Sequence, residues 1–215
     1  MNIHTLIRNH LLYLQPYSSA RDEFFGNEGI FLDANENPYG SPLSDEYCRY
    51  PDPHQRELKQ ALSVLKNIAT SKIFLGNGSD EAIDLIIRLF CEPKRDSIII
   101  TPPTYGMYEV TAKIHNIDII KVPLDNMYEP NVSDILQKAN QNTKVLFLCS
   151  PNNPTGNVFS RDRVIPILEQ FYGMVVIDEA YSNFSPDKSF FSLLDTYNNL
   201  IVLQTFSKAW GLAGL

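Results

Sequence analysis

Residues 144–178 read KVLFLCSPNNPTGNVFSRDRVIPILEQFYGMVVID, and the alternation within this stretch decides the fold. Lys144-Val145-Leu146-Phe147-Leu148 is an apolar run of strand length, Met174-Val175-Val176-Ile177 is another, and a helical pattern over about 161 to 171 separates them. Working outward, further strand-like runs stand at Lys72-Ile73-Phe74-Leu75, Ser97-Ile98-Ile99-Ile100, Ile117-Asp118-Ile119-Ile120 and Leu200-Ile201-Val202-Leu203. Helical stretches near 80 to 90, 105 to 114 and 132 to 139 separate most of them, while the segment between 177 and 200 is less regular. Short apolar strands alternating with helices imply an α/β fold: a mostly parallel sheet with helices on both faces.

Upstream the pattern weakens. Residues 3 to 15 suggest a short helical arm, followed by a turn-rich stretch containing Asp33-Ala34-Asn35-Glu36-Asn37-Pro38-Tyr39-Gly40. A helix is expected to start at Asp52, with Asp52 as its cap, Pro53 at the first helical position and Gln55 as a capping-box partner. Leu58, Ala61, Leu62 and Leu65 supply its apolar stripe. The chain shows no internal repeat and no low-complexity segment.

Composition excludes several classes. The 215 residues are 44% hydrophobic and 20% charged, an ordinary globular balance. A net charge of −7 with no basic run argues against a nucleic-acid partner. Cys48, Cys91 and Cys149 form no CxxC pair, and the four histidines form no HExxH motif or Cys/His cluster, so neither disulfides nor a metal site is expected. No apolar run approaches membrane-spanning length, and the start lacks the cleavage site of a signal peptide; the expected location is cytoplasmic.

In an open α/β sheet, ligands bind beyond the carboxyl ends of the strands. Four polar motifs follow apolar runs here: Gly76-Asn77-Gly78-Ser79-Asp80, Ser150-Pro151-Asn152-Asn153-Pro154-Thr155-Gly156, Asp178-Glu179-Ala180-Tyr181 and Thr205-Phe206-Ser207-Lys208. They should converge on one edge. Lys208 lies just past a strand, where desolvation by neighbours would free its amine for a Schiff base, although most lysines are solvated surface charges. Asp178 ends an otherwise apolar run, and a carboxylate buried there calls for a cation such as a protonated pyridine ring; a helix cap or a metal-binding acid is the other reading. Gly76, Gly78 and Ser79 lead into an amphipathic helix whose first amides could bind a phosphate. A structural turn with Ser79 as N-cap explains that segment equally well. Ser207 and Thr205 could add hydroxyl donors from the opposite side. Asn153 and Tyr181 could each hydrogen-bond a phenolate oxygen, although NPTG and DEAY are by themselves turn chemistry. Tyr105 could stack on a flat heterocycle or simply pack, and Trp210 reads as packing.

Taken together, GNGSDE, PPTYGMY, SPNNPTG, DEAY and TFSKAWGLAGL, in this order and with Asp178 and Lys208 thirty positions apart, resemble the fold-type I pyridoxal-phosphate aminotransferases. The resemblance runs from about Pro16 to the last residue. It is nearest to the histidinol-phosphate aminotransferases, through LQPYSSAR, LDANENPYG, RYPDP and GNGSDEAIDLIIRLFCEP. It implies that Lys208 forms the Schiff base with pyridoxal 5'-phosphate and moves a proton between substrate and cofactor, while Asp178 pairs with the pyridinium nitrogen. It further implies that Asn153 and Tyr181 contact the ring oxygen and Tyr105 stacks on the ring. Gly78, Ser79, Asp80, Thr205 and Ser207 would surround the phosphate, with Ser79 and Asp80 acting largely through backbone amides. Tyr50 resembles the tyrosine that reaches the phosphate of the neighbouring subunit, which implies a homodimer.

By the same resemblance, residues 1–50 form an N-terminal arm with cofactor and dimer contacts, and residues 51–215 the cofactor-binding large domain, incomplete. Members of this family continue past the position of Leu215 into the rest of that domain, a small domain and the arginines that hold phosphate and substrate carboxylate. A chain ending at Leu215 is therefore expected to be aggregation-prone and to turn over poorly. The implied reaction is transamination of histidinol phosphate with 2-oxoglutarate or glutamate in histidine biosynthesis. Aromatic-amino-acid transaminases and a threonine-phosphate decarboxylase share the scaffold, and a non-catalytic cofactor-binding or oligomerisation fragment is the reading from outside enzyme chemistry.

Overall fold

The computed structural model describes residues 2–19 and 29–214, so the Ala20-Arg21 end of LQPYSSAR and Leu215 lie outside the described residues. The chain forms two compact units, Met1–Tyr13 with Gly76–Leu215, and Leu14–Leu75.

In the Leu14–Leu75 unit, helix α1 spans Arg56–Lys66 and begins three residues later than the sequence pattern suggests. Gln55 takes a left-handed conformation (φ 49°) and breaks the helix there, so neither Pro53 nor Gln55 occupies the expected helical position. Asp52 still caps the helix: its carboxylate accepts the amide of His54 at 3.0 Å and that of Arg56 at 2.9 Å. No residue of α1 is buried, and Leu58 and Leu65 of its apolar stripe are exposed. The expected strand at 72–75 does not form. Its first residue closes a 3-10 turn at Thr70–Lys72, no strand among the described residues pairs with it, and the Phe74 side chain stands exposed. Four residues have too few ladder bonds to hold an extended segment without a partner.

The other unit is built on five strands: β1 (Ser97–Ile100), β2 (Asp118–Lys121), β3 (Thr143–Cys149), β4 (Met174–Asp178) and β5 (Leu200–Leu203). Their order is β2-β1-β3-β4-β5, and every neighbouring pair is parallel. Helices α2 (Gly78–Phe90), α3 (Met107–Ile114), α4 (Val132–Lys138) and α5 (Arg161–Gln170) fill the connections, as the alternation of the sequence requires. Three 3-10 turns between 182 and 193 occupy the irregular segment before β5.

Successive strand residues face opposite sides of the sheet, and two cores result. Val145, Phe147, Cys149, Met174 and Val176 pack with Ile83, Ile87 and Tyr108 of α2 and α3. Leu146, Leu148, Val175 and Ile177 pack with Ile135 of α4 and Val164 and Ile167 of α5 on the other side. The same alternation assigns Asp178 to the α2–α3 side, a placement on which the site depends.

The N-terminal arm is not one helix. It makes two 3-10 turns, Ile3–Thr5 and Asn9–Leu11. At Arg8 the backbone turns outward: its amide donates to the Leu89 carbonyl at 3.0 Å and its guanidinium bonds Glu92, so bonds to the end of α2 replace a continuous helical ladder. Among the described residues no helix is long and apolar enough to cross a membrane, and no group of His, Cys, Asp or Glu is arranged to hold a metal ion.

Gly173, just ahead of β4, passes so close to β3 that a Cβ there would lie 2.5 Å from the Lys144 carbonyl oxygen and 2.6 Å from the Phe171 ring. A backbone oxygen in a sheet has little room to give. Gly173→Ala is expected to destabilise the fold by about 1–3 kcal/mol, seen as a lower denaturation midpoint by circular dichroism.

Candidate active site

At the carboxyl ends of β3, β4 and β5 an open cleft of about 140 Å³ is lined by Asn77, Gly78, Ser79, Asp80, Tyr105, Cys149, Asn153, Asp178, Ala180, Tyr181, Thr205, Ser207 and Lys208. Every candidate residue singled out from the sequence in this unit lies on that wall. Tyr50 belongs to the other unit, where its amide donates to Glu36 at 2.7 Å and its ring is exposed.

The cleft owes its shape to the folding of each motif. The Gly76–Asp80 motif does not follow a strand; it opens α2 directly. Gly78 adopts φ +72°, a conformation that strains any residue with a Cβ. The N-cap is Asn77, not Ser79, and its side chain makes no capping bond; the Gly78 amide donates to the Gly76 carbonyl at 3.0 Å, and Asn77 to Asp80 line the cleft. Glu81 instead reaches back to the Asn77 amide. In the SPNNPTG loop the two asparagines divide the work: Asn152 donates to the Pro103 carbonyl at 2.9 Å and to Thr155 at 2.7 Å, which ties the loop down, and Asn153 faces the cleft. Glu179, also buried, accepts from the Phe190 amide, Ser189 and Gln204, and thereby anchors the segments on either side of Ala180 and Tyr181.

Asp178 is only 2% exposed. Burial pushes its carboxyl above the usual carboxylate range, against the hydrogen bonds from Tyr108 and the Ala180 amide that favour the charged form. Tyr108 Oη donates to Oδ2 at 2.7 Å and the Ala180 amide to Oδ1 at 3.1 Å. Among the described residues no lysine, arginine or histidine is ion-paired with it, although the field of Lys208 works toward ionisation and that of Asp80 against it. A carboxylate at this depth, with its remaining lone pairs toward an open cleft, suits a cationic ligand.

Lys208 lines the same cleft with its side chain exposed, its Nζ 5.8 Å from the centre of the Tyr181 ring. The desolvated lysine expected from the sequence is thus not what the fold presents: the backbone leaves the sheet after β5, and the side chain meets solvent along the open rim. Trp210 packs edge-on against Phe206, with ring centres 6.1 Å apart. Tyr105 donates to the Asp80 carboxylate at 3.1 Å, and its hydroxyl is pushed up to about 12 by burial and then by Asp80. Its ring meets Tyr108 edge-on at 5.6 Å. Thr205 Oγ1 donates to the Ala180 carbonyl at 3.4 Å. The Cys149 thiol, pushed up to about 11 by burial and then by Asp178, remains a protonated part of the floor near neutral pH.

Sequence reasoning missed Tyr108, Cys149, Asn77 and Ala180. Tyr108 had a usable signal: in PPTYGMY it stands three residues after Tyr105, and on the helix expected over 105 to 114 that spacing would put both side chains on one face.

The donor set fits a flat, cationic, phosphate-bearing heterocycle: a buried acid for a ring N–H, the start of a helix without a side-chain cap for an anion, and a primary amine on the same cleft. With no cation beside it, Asp178 weakens the ligand-free fold at neutral pH. Its folded-state pKa lies above its unfolded one, so its penalty is full above the folded value and fades as pH falls through that window. Asp178→Asn is therefore expected to stabilise the ligand-free protein by roughly 1 kcal/mol at pH 7.5, with the gain shrinking toward pH 4, as read from melting temperatures across pH.

A family model described as aminotransferase class I and II matches residues 32–215. A histidinol-phosphate aminotransferase of Cytophaga hutchinsonii is 57% identical over all of this chain and 62% of its own length. One of Parabacteroides distasonis is 55% identical over 98% of this chain and 60% of its own. The chain thus spans about 60% of the length of these relatives. Among solved structures, the histidinol-phosphate aminotransferase of Sinorhizobium meliloti in complex with pyridoxal-5'-phosphate aligns with a TM-score of 0.72 at 25% identity, over 84% of this chain and 53% of that one. With the strand order and the site described above, the family match leaves one conclusion: the chain belongs to the class I and II aminotransferases.

Proposed function

We propose that the cleft holds pyridoxal 5'-phosphate and that the protein transaminates histidinol phosphate, with 2-oxoglutarate or glutamate as amino-group partner, in histidine biosynthesis. The observation that carries this reading is the pairing of a buried acid, Asp178, with a primary amine, Lys208, across one cleft at the carboxyl edge of a parallel sheet. The high identity to histidinol-phosphate aminotransferases supports the substrate.

When bound, the cofactor supplies a carbonyl that exchanges amino groups and an electron-poor ring that takes up negative charge. The protein's part follows from the residues. Lys208 would hold the cofactor through its Nζ and would carry the proton to and from the substrate α-carbon. Asp178 holds a proton on the ring nitrogen and so keeps the ring electron-withdrawing. The Asn153 amide and the Tyr181 hydroxyl donate to the ring oxygen, and Tyr105 covers the ring face. Gly78, Ser79, Asp80, Thr205 and Ser207 receive the phosphate, with the uncapped start of α2 contributing backbone amides. Tyr50 acts from the neighbouring subunit of a homodimer, with residues 1–50 as the arm that makes the dimer and cofactor contacts. The assembly is cytoplasmic.

Incubation with pyridoxal 5'-phosphate followed by borohydride should leave one phosphopyridoxyl group on the peptide containing Lys208, and Lys208→Ala should carry none. Turnover of histidinol phosphate should fall by about 10²–10⁴-fold in Lys208→Ala, the range of a general acid–base group. An unmodified Lys208 peptide contradicts the cofactor assignment, while carbon dioxide released from phosphothreonine, or faster turnover of aromatic amino acids, contradicts the substrate.

A further inference from the structure

The side chain with the most specific geometry that the proposed reaction does not use is Tyr108. It is fully buried on α3, its ring stacked on Phe147 (centres 4.7 Å apart, planes 11° apart) and in edge contact with Tyr105. Packing on two sides fixes the hydroxyl, which points at Asp178 Oδ2.

We propose that Tyr108 is a positioning residue for the cofactor: from the protein side it fixes the orientation and charge of the Asp178 carboxylate that meets the ring nitrogen. With its edge it also sets the Tyr105 ring that would cover the cofactor's face. The inference rests on the reading of the cleft as a pyridoxal-phosphate site.

Three observations carry it. Strand alternation turns Asp178 toward α3, and the register of β3 and β4 sets it beside Cys149, so the carboxylate enters a space already occupied by Tyr108. Its two oxygens are each engaged once, Oδ2 by Tyr108 and Oδ1 by the Ala180 amide, which prevents rotation about the last bond. Each oxygen keeps a further lone pair for a donor arriving from the cleft. Finally, a phenol O–H beside a carboxylate donates, and so favours the ionised acid that a pyridinium needs. The other groups around Asp178 pull in both directions: Asp80 of α2 opposes ionisation, Lys208 beyond β5 favours it, and Cys149, Tyr105 and Tyr181 complete the surroundings. Among them Tyr108 is the neutral side-chain donor in direct contact.

The test uses the full chain and titrates pyridoxal 5'-phosphate, and separately its 1-deaza analogue, which lacks the ring nitrogen, from pH 5 to 9. Tyr108→Phe keeps the ring and removes the donor. Asp178 then ionises at higher pH, so the acid limb of cofactor affinity should move up by about one pH unit, and affinity at a pH on that limb should fall about tenfold, the worth of one hydrogen bond to a charged group. The deaza analogue should bind both proteins alike. Superimposable profiles, or an equal loss for both ligands, overturn the inference while leaving the cofactor site standing. A wild-type chain that neither binds the cofactor nor forms the reducible Lys208 adduct overturns both. Should Tyr108→Phe not fold, 3-fluorotyrosine at position 108, a stronger donor of nearly equal size, should move the acid limb to lower pH; an unmoved limb overturns the inference.

Discussion

Asp178 sits at the carboxyl end of β4 with 2% of its surface exposed, and removing a carboxylate from water to that depth costs several kcal/mol unless a cation meets it. A fold selected for stability alone would place an apolar residue after Ile177. Here the surroundings are arranged to keep the acid: a tyrosine hydroxyl and a backbone amide hold its oxygens, and a cleft opens in front of it. The rest of the site is organised around this buried charge. Lys208 faces it from the rim, the start of α2 lies uncapped beside it, and Tyr105 closes one side through Asp80.

The sheet brings these groups together. Parallel strands all deliver their following loops to one edge, and the order β2-β1-β3-β4-β5 reverses direction between β1 and β3, where loops diverge and leave a crevice. Tyr105 comes from the loop after β1, Asn153 from that after β3, Tyr181 from that after β4 and Lys208 from that after β5. Residues more than one hundred positions apart thus share one wall without any long-range motif. Loop anchors outside the cleft make the wall stiff: Asn152 ties the β3 loop to Pro103, and Glu179 ties the β4 loop to Phe190, Ser189 and Gln204.

Much of this was legible in the sequence, for physical reasons. Buried parallel strands read as apolar runs, so all five strands and the four helices among them could be located. Groups that follow such runs must gather at one edge, so Asp178, Asn153, Tyr181 and Lys208 could be grouped. What failed to read was local. The run at 72–75 looks like a strand because Ile73, Phe74 and Leu75 are apolar, but a strand exists only with a partner. Gln55 carries no mark of its left-handed backbone, so the start of α1 was misplaced. Desolvation of Lys208 depends on tertiary surroundings that a sequence does not display, and the fold leaves that side chain exposed. Tyr108 escaped because its role depends on the parity of β4, which selects the helices Asp178 faces.

The central physical claim is that the Asp178 carboxylate keeps a proton on a heterocyclic nitrogen in the cleft. Nuclear magnetic resonance of pyridoxal 5'-phosphate labelled with ¹⁵N at the ring nitrogen reads that proton directly. Bound to the wild-type protein, the nitrogen should show the protonated chemical shift through a pH range in which the free cofactor has lost its ring proton. A bound nitrogen at the unprotonated shift near neutral pH would contradict the account.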